Sequence, residues 1–216
     1  MNTSHALRRA VLPGVILAAT VMLAGCTALD PVEDHTRFYT LARAGDSGQM
    51  AAVAPVDAPV IGLVVTQVAS HLRSSAIVVR SGEHEIRYEE AHRWASRLDE
   101  GVARGLVVGV QREAGSRISV SVAAPLRMVR PDVLIEIDLL ACEGRRAGAE
   151  SAALLVADWR IFHGREEKPA ASGRFRVDKA GWNGADFGQL AAMLAASGEE
   201  LAQAGGGPAG RIAGES

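Results

Sequence analysis

Hydrophobic and polar positions change rhythm several times along this chain, and each change marks an element. Phe38-Tyr39-Thr40-Leu41 has the aromatic and branched content of a first strand. Val60-Ile61-Gly62-Leu63-Val64-Val65 is an unbroken β-rich run, which predicts a strand buried on both faces. Ala76-Ile77-Val78-Val79-Arg80 is a third strand, and Ser81-Gly82 turns the chain after it. Glu85-Ile86-Arg87-Tyr88 then alternates, as a returning strand with one solvated face does. From Leu98 the period lengthens. Leu98, Val102, Leu106, Val107 and Val110 recur at helical spacing behind Ser96 and Asp99, which stand as a capping box does, so a helix is predicted over 97–111.

The second half repeats the strand rhythm. Ile118-Ser119-Val120-Ser121-Val122 alternates, and Val133 to Leu140, Ala152 to Phe162 and Arg174 to Val177 extend it into a largely antiparallel meander. A last helix starts at Asp186 and puts Phe187, Leu190, Leu194 and Leu201 on one face. Gly205-Gly206-Gly207-Pro208 is expected to end it, leaving 205–216 as a disordered tail. Residues 44–58, rich in Gly, Ala, Asp and Pro, read as a loop. The order of strands, helix, strands, helix predicts one α/β domain, a mixed and largely antiparallel sheet with two main helices packed on it. Gly101, Gly105 and Gly109 recur every fourth residue on the first helix. Each weakens a helix by about 1 kcal/mol relative to Ala, so the stripe predicts close approach of another backbone, either the sheet or a partner.

The amino-terminal pattern is of another kind. Arg8 and Arg9 precede an uncharged apolar run from Val11 to Leu23, the build of a secretory signal peptide. The run is shorter than the roughly 20 residues an apolar helix needs to cross a bilayer, and Pro13 and Gly14 interrupt it. Leu23-Ala24-Gly25-Cys26 resembles the bacterial lipobox. That resemblance implies cleavage after residue 25, a diacylglycerol thioether on Cys26 and acylation of the new amino terminus. Two or three chains, at about 0.8 kcal/mol per buried methylene, make a stable membrane anchor. Thr27, in place of the Asp that holds such proteins in the inner membrane, implies the outer membrane. The expected organisation is a signal peptide over 1–25, a lipidated tether over 26–36 and a domain over 37–204.

Removing residues 1–25 takes away Arg8 and Arg9 but no acid, so 23 basic and 25 acidic side chains become 21 and 25. That balance gives no reason to expect nucleic acid as a ligand. An apolar fraction of 48% supports a real core, while 4% aromatics argue against an aromatic-lined small-molecule pocket. With Cys26 acylated, Cys142 stands alone; a buried, inert thiol or an intermolecular disulfide are its two readings.

Motifs for chemistry are sparse. Gly45-Asp46-Ser47-Gly48 matches the surroundings of a serine protease nucleophile, but it lies in the Gly-rich loop and reads as a chance match. His84-Glu85 would open a zinc-protease helix if His followed at 88, where Tyr88 stands. His35, His71, His84, His92 and His163 are scattered, without metal-ligand spacing. No phosphate loop or nucleophile elbow is present, so no catalytic, cofactor or metal residue is assigned.

The segment from Tyr88 to Leu98 carries Arg93-Trp94-Ala95 just before the capped helix. Its physical reading is a strand-to-helix corner with Trp94 buried. Together with the lipobox, Phe38 to Leu41, Ile61 to Val65 and Ile77 to Arg80, it makes the chain resemble the ABC-type transport auxiliary lipoprotein family. Ser74-Ser75 and the Gly-spaced helix depart from that family's pattern. The resemblance implies a non-enzymatic, periplasm-facing outer-membrane lipoprotein that serves an intermembrane lipid transport system. Its partners would be a mammalian-cell-entry domain protein and an ABC permease and ATPase, with exposed edge strands or the glycine face as contact surfaces. Self-association is left open. A lipoprotein of envelope integrity or outer-membrane assembly, independent of a transporter, is the alternative; a lipid-anchored periplasmic hydrolase is a third.

Overall fold

A computed structural model describes residues 33–42, 57–114, 118–122, 131–147, 150–164 and 166–214. Thr36–Ser216 form one compact unit, separate from Met1–His35. Its strands are β1 (Arg37–Tyr39), β2 (Val60–Val68), β3 (Ala76–Arg80), β4 (Ile86–Trp94), β5 (Ser119–Val122), β6 (Val133–Ala147), β7 (Glu150–His163) and β8 (Ala171–Ala180). The helices are α1 (Leu98–Ala114) and α2 (Phe187–Gly214), with a short 3-10 turn at Ser70–Arg73.

All eight strands join one mixed sheet. Its spine is β6. One flank of β6 is taken by the long antiparallel ribbon β6, β7, β8. The other flank is shared in tandem: β2 pairs in parallel with Ile61 against Val133 through Val68 against Leu139, and β3 then pairs at Val79 with Gly144 and Arg80 with Arg145. Between them the 3-10 turn breaks the line, and β6 answers with a bulge between Leu139 and Ala141. Outside this pair lie β5, parallel to β2, and β4, antiparallel to β3, with β1 beyond β4.

Val133, Ile135, Ile137 and Leu139 of β6 point to the helices and are buried, while Glu136 and Asp138 point the other way. The helices cover that apolar face, α1 over β2 and β5, α2 over β6, β7 and β8. The opposite face carries a lattice of ion pairs: Arg160 with Glu136 and Asp138 at 3.1 and 3.2 Å, Arg174 with Asp158 at 2.6 Å, Arg145 with Asp178 at 3.0 Å.

Three expectations need correction. α2 does not stop at Gly205 but runs through Pro208 to Gly214, so no disordered tail begins at 205. The reason is packing. Gly205, Gly206 and Ala209 are buried, with Gly206 facing Val110 of α1 at a distance where a Cβ would just touch. The carbonyl that Pro208 cannot serve is that of Ala204, an exposed residue where water can take the bond. Second, β4 does not end near Tyr88 but continues to Trp94, so the strand-to-helix corner is confined to residues 95–97. Third, the glycine stripe is not uniform. A Cβ at Gly109 would lie 2.6 Å from the Cβ of Ala202, whereas at Gly105 it would meet nothing. The close approach is between α1 and α2, at one glycine.

Candidate functional site

A recess of the described surface lies beside the tandem arrangement. β5 accompanies β2 only from Val60 to Leu63, where Val122 is its last partner. β4 accompanies β3 and ends at Trp94, whose N–H donates to the Ser75 carbonyl at 2.8 Å. Between these two carboxyl ends no described strand lies beside Val64–Val68 on the side away from β6. A cleft of about 590 Å3 lies beside Val65–Val68. Leu72, Trp94 and Leu98 form its apolar floor, all buried. Arg73, Arg97 and Asp99 stand at its rim.

Each rim group has a local cause. Asp99 sits in the first turn of α1, where a negative charge suits the helix dipole. Arg97 grips it with Nε at 3.1 Å and Nη2 at 2.8 Å. That bidentate hydrogen bond holds the Asp99 carboxyl below the usual carboxylate range and raises the already high pKa of the guanidinium. Arg73 turns inward instead, and its Nε donates to the Val68 carbonyl at 3.3 Å. It has no carboxylate partner among the described residues.

Behind the cleft, where β2 hands over to β3, a carboxylate is sealed into the sheet. Glu143 of β6 is 0% exposed. It accepts from Arg80 Nε at 2.6 Å and lies 3.2 Å from His71 Nε2. The three side chains tie β6, the 3-10 turn and β3 together at the joint. Cys142, beside it, is buried inside β6 rather than at a strand end, and burial followed by the Glu143 charge pushes its thiol up to about 12. Its thiolate is suppressed, so the inert reading stands and the disulfide reading loses its chemistry.

An aromatic chain fixes the far corner. Tyr39 OH meets His92 Nδ1 at 2.9 Å, His92 stacks on Phe187 at 4.0 Å, and Trp182 packs edge-on to Phe187. Arg146 lies over Trp182 and donates to the Gly184 carbonyl, while Asp186 caps α2 through the Gln189 N–H at 3.0 Å.

Cys26 and Gly45 to Gly48 lie outside the described residues. The histidines do not converge: His71 is at the joint, His92 in the aromatic chain, His84 in an exposed turn, His163 at the end of β7 and His35 exposed at 3.9 Å from Glu33. Among the described residues no group of three His, Cys, Asp or Glu could hold a metal, and no helix is long and apolar enough to cross a membrane. Of the quoted corner, Trp94, Ala95 and Leu98 do line the cleft. Sequence reasoning missed the cleft beside Val65–Val68 and Arg73 in its lining.

Comparison with known proteins agrees with this architecture. The crystal structure of protein XCC0632 from Xanthomonas campestris is 18% identical, with a TM-score of 0.58 over 78% of this chain and 91% of that one. A second crystal structure, of an uncharacterized protein, is 15% identical, with a TM-score of 0.56 over 78% of this chain and 95% of the other. At such identities the likeness is one of fold. No protein of curated function matches the chain. The family model described as the ABC-type transport auxiliary lipoprotein component, however, matches residues 39–204, from β1 well into α2, and the chain therefore belongs to that family.

Proposed function

We propose that this protein is a lipid-anchored accessory component of an ABC-type intermembrane lipid transport system, and that it acts by docking rather than by catalysis. The observation that carries the reading is the family match over residues 39–204. Cys26, after Leu23-Ala24-Gly25, supplies the thiol for the anchor, and Thr27 directs the protein to the outer membrane with its domain in the periplasm. Two or more acyl chains hold the domain at the membrane without a spanning helix. The domain then engages the periplasmic end of the transporter, a mammalian-cell-entry domain protein working with its permease and ATPase.

Co-purification of the acylated protein in mild detergent tests this, with mass spectrometry of what comes with it. Recovery of a mammalian-cell-entry protein with its permease is the expected result; absence of every transporter component would sink the reading. Separately, Cys26→Ser is expected to abolish incorporation of labelled fatty acid and to move the protein out of the membrane fraction. Acyl labelling that persists in that variant refutes the anchor.

A further inference from the structure

The sheet ends in β8 on one side and in β1, outside β4, on the other. Tyr39 of β1 meets His92 of β4, and His92 stacks on Phe187 of α2, so those side chains stand on the helix-covered face. Phe38, one residue earlier, therefore points to the opposite face. The same holds for Tyr88. Its neighbour Arg87 pairs with Val79, and Val79 lies beside Gly144, where a Cβ would press on Trp182 and on Leu190 of α2. Phe38 and Tyr88 thus share the face that carries the ion pairs of β6, β7 and β8, at the other end of it. They are 65% and 43% exposed, whereas the other seven aromatic residues of the chain are buried or half-buried.

We propose that this corner of β1 and β4 rests on the bilayer that holds the anchor, with Phe38 and Tyr88 seated among the lipid headgroups. This rests on the lipid anchor proposed above and specifies which face of the domain lies toward the membrane. Phe38 stands twelve residues after Cys26, so at most roughly 40 Å of extended chain separates it from the acyl chains. A tyrosine suits the boundary because its ring is apolar while its hydroxyl stays wet, and a phenylalanine adds apolar area to the anchor. The charges beside them are matched: Arg93, across from Phe38, lies 3.1 Å from Glu90, and Arg87 lies 3.0 Å from Glu85. The attraction therefore needs no anionic lipid. Tyr88 and Arg93 are five residues apart on β4, roughly 16 Å at strand rise, a spacing that a broad surface spans.

The acylated protein in phosphatidylcholine vesicles tests this. With Cys26 acylated and Cys142 buried, its thiol pushed up to about 12, an introduced cysteine is the one that a thiol-reactive dye labels. Ala91→Cys puts the dye on an exposed position of β4 between Tyr88 and Arg93, and Ser172→Cys puts it on an exposed position of β8. A nitroxide on the lipid headgroup is expected to quench the dye at residue 91 at least threefold more than at residue 172. Phe38→Ser with Tyr88→Ser should cut the quenching at residue 91 by at least half with an unchanged melting temperature, and Phe38→Trp with Tyr88→Trp should retain it. No quenching at residue 91, equal quenching at the two positions, or full quenching in the serine variant overturns the proposal. Dye emission at residue 91 that shifts with protein density but is not quenched by lipid marks a second copy on this corner and also overturns it. An acylated protein left unquenched at residue 91 removes this inference and leaves the anchor standing. Should Cys26 carry no lipid, the Cys26→Ser chain held on the same vesicles by a carboxyl-terminal polyhistidine tag and a chelating lipid gives the same comparison. Quenching at residue 91 there keeps the membrane-facing corner without the anchor.

Discussion

Two stretches of this sheet, the outer side of β8 and Val64–Val68 of β2, are set in opposite surroundings. The outer edge of β8 is ten residues long, and its solvent side chains are Ser172, Arg174, Arg176, Asp178 and Ala180. Arg174 reaches Asp158 at 2.6 Å, Arg176 lies 3.7 Å from Asp178, and Lys179 reaches Glu200 at 2.6 Å. A strand arriving there must break ion pairs and desolvate charges, which is how exposed edges are kept from pairing. The edge of β2 from Val64 to Val68 carries no charge at all. It is shielded by position, sunk between the ends of β5 and β4 under the first turn of α1. A charged edge resists pairing by the desolvation it would demand, whereas an uncharged one has only its recessed position.

The contrast depends on the joint that sets β2 and β3 in line along β6. Glu143→Ala removes the buried carboxylate there and leaves Arg80 and His71 facing each other without it. The expected cost is about 3 kcal/mol, the lower end for a broken buried pair, because both partners reach solvent. Denaturant unfolding measures it, and a loss below 1 kcal/mol would mean the joint is held by something else. Next in size is the seat of α1, whose first turn roofs the recess. Gly109→Ala would press a methyl group into Ala202 and is expected to cost about 1–2 kcal/mol, overpacking less the gain in helix propensity. Gly105→Ala, where nothing lies within 4 Å, should stabilise by up to about 1 kcal/mol. Equal signs for the two would show that the helices do not approach at Gly109.

Those two glycines also show where the sequence was legible and where it was not. Their spacing identifies a small-residue stripe but not which member is pressed, because that depends on the crossing point of α1 and α2, a three-dimensional quantity. The strands were readable wherever one face is buried, as in Ile118 to Val122 or Arg174 to Val177, since period-2 alternation records burial directly. The end of α2 was misread because Gly205-Gly206-Gly207-Pro208 has the local chemistry of a stop, while Val110 of α1 makes the same small residues a packing surface. Corner residues Trp94 and Leu98 were singled out, but the cleft they line with Val65–Val68 was not. No local pattern records a recess formed by residues about 30 positions apart.

A smaller effect on stability, though not on behaviour, is expected from stripping the β8 guard. Arg174→Val with Arg176→Val should leave the unfolding free energy within about 0.5 kcal/mol of the parent, since exposed ion pairs contribute little. The variant should self-associate with rising concentration in sedimentation experiments, with protection from exchange appearing along β8. If it stays dispersed, charge is not what keeps that edge unpaired.

The smallest effect comes from acid, and it acts on both edges at once. Asp99 at the recess and Asp158 beside β8 are each held below the usual carboxylate range, first by the hydrogen bond from Arg97 and Arg174 respectively, with the guanidinium charge assisting. A carboxyl whose pKa is lower folded than unfolded contributes stability that is fully present above its unfolded value, and this is lost as pH falls through the folded one. Stability should therefore be flat near neutrality and decline only from the ordinary carboxylate range downward, with the decline softened by salt because both pairs reach solvent. Replacing Asp99 with Asn should remove part of that acid dependence, and replacing Asp158 with Asn another part, the two adding because the sites share no partner. The edges then part company. Protonating Asp158 unlocks Arg174 on the solvent face, whereas protonating Asp99 releases Arg97 at the rim beside Arg73. Arg97 would then keep only Glu100, 3.9 Å away, so a peptide bearing two acids should bind Asp99→Asn more tightly than the parent at neutral pH. Tighter binding by a peptide without acids, or none by the acidic one, would show that rim charge does not select what enters the recess.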